Sequence, residues 1–239
     1  MIKSRKPVLV LQHQANDSPA YLGTWLRTHA VAHEVHVAGN GTTWPTDMSA
    51  YSALALLGGE MSANDDLPML RDGERLIVQA VERGLPVIGH CLGGQLMARA
   101  LGAKVQASRA PEIGWQTLQL FDSEESRAWF GAPRQAQVMQ WHYETFDLPP
   151  GAKLLASSAA CPHQAFAIGP HLAMQFHIEA DAAKIDRWSR EVGLHYADVL
   201  KRNPASVQSG ADIRASTSRH IAAQQALADR IYGRWLSGL

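Results

Sequence analysis

The chain has 239 residues with 22 basic and 22 acidic side chains, so its formal net charge is zero. Such a balance gives no electrostatic footprint for nucleic acid or an anionic membrane, and the length suits one α/β domain with room for an extension. Two cysteines, Cys91 and Cys161, supply neither a disulfide framework nor a metal-ligand spacing. No long apolar leader follows the basic opening residues, and no run reaches the roughly 18 apolar residues of a membrane span, so a cytoplasmic protein is expected.

Along the first hundred residues strand and helix patterns alternate. Residues 7–11 read as a buried strand, 19–30 as a helix, 34–37 and 51–57 as strands, and 70–83 as an amphipathic helix with Leu76, Ile77, Ala80 and Val81 on one side. Gly84 ends that helix, and an apolar strand over 85–89 follows. This alternation implies βαβ units and a mostly parallel sheet, with ligands at the carboxyl ends of the strands. Gly58, Gly59 and Cys91 all fall at such ends.

The run Gly89-His90-Cys91-Leu92-Gly93-Gly94-Gln95 places one cysteine among glycines where the strand gives way to a helix closed by Gly102. That is the pattern of a nucleophile elbow, in which a sharp turn needs glycines so that neighbouring backbone can pass without a Cβ clash. A thiol there lies at a helix N-terminus, where unpaired amides favour the thiolate. The competing reading is a small buried hydrophobe, the usual fate of a lone cysteine. Cys161, in a loop before Pro162, is read that way.

From 105 to 177 the pattern changes to short strands over 113–121, 136–142, 153–157, 165–168 and 172–176, an antiparallel annex that delivers His177-Ile178-Glu179 to the central sheet. If strand geometry persists, side chains 177 and 179 project to one side, and the carboxylate can orient the imidazole. The pair Gly58-Gly59 either makes only a turn or lets its amides, with that of Leu92, donate to an oxyanion. Beyond Glu179 the chain reads helical to about residue 200, then turn-rich, then helical again from about Ile213, with Ile221, Leu227, Ile231 and Trp235 near helical spacing. His142 and Glu144, with His163 or His171, offer no convergent third ligand by spacing, so no metal is expected.

Taken in order, Gly58-Gly59, the glycine-flanked Cys91 followed by Gln95, and Gln175-Phe176-His177-Ile178-Glu179 resemble the class I, or triad, glutamine amidotransferase domain, over roughly residues 7–180. Trp141-His142-Tyr143-Glu144 and the residues to Pro149 are similar to its stand-alone GMP-synthase-like branch, which includes plant γ-glutamyl peptidases. The resemblance implies a flavodoxin-like, mainly parallel sheet flanked by helices over 1–180, with the antiparallel annex, and a helical extension over 181–239 packed on the same domain or on a homodimer partner. It implies a Cys91, His177, Glu179 triad, an oxyanion hole at Gly59 and Leu92, Gln95 and Gly58 at the substrate, and no cofactor. Two residues depart from the family pattern: Glu60 stands where proline is common, and His90 where an apolar residue is common. Both bear on substrate choice, and Glu60 and His142 are expected on the leaving-group side.

The reaction so implied is hydrolysis of a γ-glutamyl amide, such as glutamine, through a thioester. No phosphate-binding fingerprint is present, so ammonia passes to a synthetase partner, or the enzyme acts alone as a γ-glutamyl peptidase on glutathione-like compounds. Two other readings are a non-catalytic sensor of the same fold, and a cysteine α/β-hydrolase, in which the acid would precede the histidine.

Overall fold

The computed structural model describes residues 6–39, 44–193 and 195–239. One nine-stranded sheet runs through the molecule: β1 (Val8–Gln12), β2 (His33–Val37), β3 (Ala53–Leu56), β4 (Val87–His90), β5 (Val105–Leu120), β6 (Gln135–Phe146), β7 (Lys153–Ser157), β8 (Ala165–Ile168) and β9 (His171–Met174). Their spatial order is β2-β1-β3-β4-β9-β8-β7-β5-β6. The first five in that order are mutually parallel, and from β9 onward every pairing is antiparallel. The parallel half has the doubly wound order whose ligands sit beyond the carboxyl ends of the strands. The annex is therefore continuous with the central sheet, joined through β9.

Helices α1 (Ala20–Thr28), α4 (Glu124–Phe130) and α7 (Gly210–Trp235) cover one face, and α2 (Pro68–Glu82) and α3 (Leu92–Ala100) the other. Strand alternation divides the core. Val8 and Val10 pack with Trp25, Trp129, Ile231 and Tyr232, while Leu9 and Leu11 pack with Leu70, Leu76 and Leu96. A third cluster, around Ile113, Trp115 and Tyr196, ties α5 (Ala182–Arg190), α6 (Tyr196–Arg202) and the start of α7 to the β5–β6 hairpin. Among the described residues no helix is long and apolar enough to cross a membrane.

Three expectations from the sequence change. The helix after Glu179 is two helices, α5 ending at Arg190 and α6 beginning at Tyr196. β9 ends at Met174, so His177 and Glu179 lie in the turn that follows it, with no strand to alternate their side chains. α4 is an addition: its seven residues are too few to show a helical period, and its Ser123 cap and buried Trp129 and Phe130 identify it in three dimensions.

Candidate active site

Cys91 joins β4 to α3 with φ 49° and ψ −109°, a left-handed conformation that costs a non-glycine residue energy. The glycines around it make room for backbone. A Cβ on Gly89 would stand 2.5 Å from the Gly93 carbonyl oxygen, and one on Gly93 2.5 Å from that of Leu56. Leu92 is the first residue of α3, so its N–H has no intrahelical acceptor and is free to serve a ligand. A Cβ on Gly58 would meet the His177 ring at 3.0 Å, so the glycine turn, the cysteine and the histidine are packed into one place.

His177 Nδ1 lies 2.7 Å from Glu179 Oε1, and both side chains are buried. The turn achieves what strand alternation was expected to do. Its backbone is held by His177 N–H donating to Met139 O at 2.9 Å and Tyr21 N–H donating to Glu179 O at 2.8 Å. Burial disfavours the charged imidazole, but the opposing charges of Glu179 and Cys91 prevail and raise the His177 pKa to about 10. Burial likewise opposes the Glu179 carboxylate, yet His177 first and His90 next hold it down at about 2. The pair is thus imidazolium and carboxylate across the neutral range. His177 Nε2 is buried without a hydrogen-bond partner among the described residues.

Two clefts meet at Cys91. One, of about 340 Å³, is walled by Asp17, His177, Arg187 and Trp188; the other, of about 350 Å³, by Ser62, Gln95, His142 and Glu144. Gly59, Glu60, Cys91 and Trp141 line both. Glu60 is exposed at the junction. His142 opens onto the Gln95 cleft and not onto the Asp17 cleft. The reason is its anchoring: Nε2 meets Glu112 at 3.1 Å and Nδ1 the Glu144 carbonyl at 3.0 Å. His90 lines neither cleft, so it cannot bear on substrate choice by contact. It is wholly buried beneath the elbow, between Leu56 O and the Tyr232 hydroxyl of α7.

Several contributors escaped the sequence reading. Gln175 Nε2 approaches Cys91 Sγ at 3.6 Å, and Gln95 Nε2 donates to Gln175 Oε1. Ser62 donates to the Glu144 carboxylate, which faces the Gln95 cleft. The Trp188 ring stands edge-on to His177 with centroids 4.9 Å apart. His13, buried against Gly59, is held neutral by burial, its pKa lowered to about 4. The only signal for these was position at a strand's carboxyl end or on the helix following Glu179.

Among the described residues one group could hold a metal: Glu112, His142 and Cys161, with ligand atoms within 4.8 Å of one another. Its members are already engaged. Glu112 Oε2 accepts from Gln164 at 2.6 Å, and burial pushes the Cys161 thiol up to about 11, leaving it neutral against Thr145. The group reads as a hydrogen-bonded cluster bracing β5, β6 and the β7–β8 loop.

Fold and site together define a doubly wound α/β protein with a cysteine elbow facing a buried histidine–carboxylate pair. The sequence profile of glutamine amidotransferase class-I matches residues 26–187. The chain belongs to that family. It is 31% identical over 185 residues to a putative glutamine amidotransferase-like protein of Salmonella typhimurium, covering 72% of each chain. It is 31% identical over 137 residues to a glutamine-hydrolysing GMP synthase subunit from Thermococcus kodakarensis, covering 56% of this chain and 72% of that one. Against the GMP synthase of Thermomicrobium roseum, 33% identical over 147 residues, it spans only 28% of the relative's length. A solved glutamine amidotransferase from Methylobacillus flagellatus superposes with a TM-score of 0.93 at 35% identity, over 99% of this chain and 96% of that one.

Proposed function

We propose that the protein hydrolyses γ-glutamyl amides, with Cys91 as nucleophile, His177 as acid and base, and Glu179 as its orienter. The observation that carries this reading is the His177 ring, fixed at Nδ1 by Glu179 at 2.7 Å with Nε2 buried and unpartnered beside the elbow cysteine. In the first half-reaction the Cys91 sulfur adds to the γ-carbonyl, and the N–H groups of Gly59 and Leu92 receive the oxyanion. The carbon–nitrogen bond breaks as His177 gives its Nε2 proton to the departing amine. A γ-glutamyl thioester remains on Cys91. Neutral His177 then takes a proton from water, the hydroxide displaces the sulfur, and glutamate leaves.

The two clefts suit two halves of such a substrate. The acid that protonates the amine lines the Asp17 cleft, so the amine leaves on that side; the glutamyl group lies toward Gln95, where the Glu144 carboxylate is set to receive its α-ammonium. Glutamine is the first donor to test, since relatives named as glutamine-hydrolysing include separate synthase subunits, and ammonia would then pass to a synthetase partner. A second reading, hydrolysis of larger γ-glutamyl amides without a partner, draws on the size of the Asp17 cleft, about 340 Å³ where a water occupies about 30 Å³ of liquid. Acid-quenched turnover followed by mass spectrometry should find a γ-glutamyl adduct on the peptide containing Cys91. Undiminished turnover by Cys91→Ala would overturn the proposal.

A further inference from the structure

The hydrolase reading leaves open what departs with the amine nitrogen, and the Asp17 cleft carries an answer that rests on that reading. Behind its inner wall is a charge cluster in which two cations share one carboxylate. Asp17, in the loop after β1, receives Lys184 Nζ at 3.1 Å, Arg187 Nη2 at 3.2 Å and the Trp188 indole N–H at 3.1 Å. One carboxylate thus faces two cations. The Lys184 side chain is only 3% exposed and also donates to Ser18 O, so it is spent inside the protein. Arg187 is 30% exposed, lines the cleft, and commits only Nη2 among the described residues. Asp17 holds the guanidinium in place while leaving its other N–H groups for a ligand, the preorganisation that favours planar, two-point capture of a carboxylate.

We propose that this cleft is a leaving-group subsite for an amine bearing one carboxylate, a free amino acid, with Arg187 as its anion-binding residue. Trp141 and Trp188, ring centroids 5.9 Å apart, line the cleft together with Cys91 and Arg187 and present apolar surface to the body of such a group. Trp188 links the two functions, touching the His177 ring on one side and bonding Asp17 through its indole on the other. Glu60 and Glu191 stand exposed on the rim with no ion-pair partner among the described residues, and they repel a second negative charge. The subsite therefore favours a monocarboxylate over a dicarboxylate.

Four donors sharing one acyl group test this: glutamine, γ-glutamylglycine, its uncharged analogue γ-glutamylethylamide, and the cationic amide of 1,2-diaminoethane. The wild-type kcat/KM for γ-glutamylglycine should exceed that for γ-glutamylethylamide by about tenfold to a hundredfold, the range of a charge-assisted contact. Arg187→Gln should collapse that ratio toward one, and Arg187→Lys, which keeps the charge without the fork, should retain part of it. A wild-type ratio of one or less, a ratio untouched by Arg187→Gln, or preference for the cationic amide overturns the subsite while glutamine hydrolysis still stands. Should Arg187→Gln fail to fold, the wild-type ratio and Arg187→Lys decide. Turnover of none of the four donors, glutamine included, overturns the hydrolase reading itself.

Discussion

Replacing Glu179 by glutamine removes one buried charge while leaving an oxygen that still accepts from His177 Nδ1. The pair is 2.7 Å apart and both partners are buried, so orientation is largely kept and the electrostatics alone change. An exposed histidine releases its proton near 6.5, whereas His177 retains it to about 10, a preference of about 5 kcal/mol for the charged ring. Glu179 is the largest of the favourable contributions, and without it burial pulls the other way. The His177 pKa should fall by at least about 2 pH units. In kcat/KM for glutamine measured from pH 5 to 10, the alkaline limb should move to lower pH by the same interval, with a loss of about a hundredfold or more on that limb. Nitrogen NMR of the His177 ring reads the same change directly. An alkaline limb that stays in place in Glu179→Gln would refute the argument that this carboxylate keeps the acid protonated. The same pair sets a stability window. Raised His177 contributes fully below 6.5 and loses its effect as pH rises through 10; depressed Glu179 contributes fully above 4.5 and loses its effect as pH falls through 2. Pair-dependent stability is therefore greatest between 4.5 and 6.5, and chemical denaturation of wild type and Glu179→Gln across pH should show their difference largest there.

Iodoacetamide at neutral pH should label Cys91 and spare Cys161, whose buried thiol ionises only near 11; preferential labelling of Cys161 would reverse the assignment. Gly93→Ala should lower the stability of the fold by at least about 2 kcal/mol, seen as a drop of several degrees in Tm, because the added Cβ meets the immovable Leu56 carbonyl. Gly59→Ala should cost less, since its Cβ would meet the terminal methyl of Leu92 at 2.8 Å, which can turn away; equal losses would contradict this. Gln224→Leu should cost about 1–3 kcal/mol and speed hydrogen exchange at the Met139 amide, which now donates to Gln224 Oε1 at 2.7 Å.

The parts of the site legible in the sequence are those that the backbone dictates locally. A cysteine among Gly89, Gly93 and Gly94 announces close backbone approach, and in the structure a Cβ on any of the three would stand 2.5 Å from a carbonyl oxygen. His177 and Glu179 are legible from their spacing but for another geometric reason, since a turn and not a strand brings them together. The two departures from the family pattern divide. Glu60 lies at the junction of the clefts, whereas His90 points inward, a distinction that period-two alternation over four strand residues does not resolve. Arg187 and Trp188 sit inside an amphipathic helix and, in sequence, read like its solvated face. Only the docking of α5 beside the β1–α1 loop turns them toward the cysteine.

The helix α7 reaches the site from far along the chain. Its Gln224 accepts from Met139 N and donates to Ala180 O, next to Glu179, and its Tyr232 hydroxyl meets His90, 142 positions earlier. Such long loops close slowly, because their entropy is lost before the contacts that reward it are made. During folding, the sheet can pair and the elbow can form while the turn carrying His177 and Glu179 still lacks its clamp and Tyr232, Trp235 and Ile231 remain unburied. Regain of activity on refolding should then lag the recovery of sheet signal and coincide with the burial of these α7 aromatics. On the proposed triad, the chain would acquire its chemistry last, as a late event in maturation, and Cys91 would spend the early part of that process without His177.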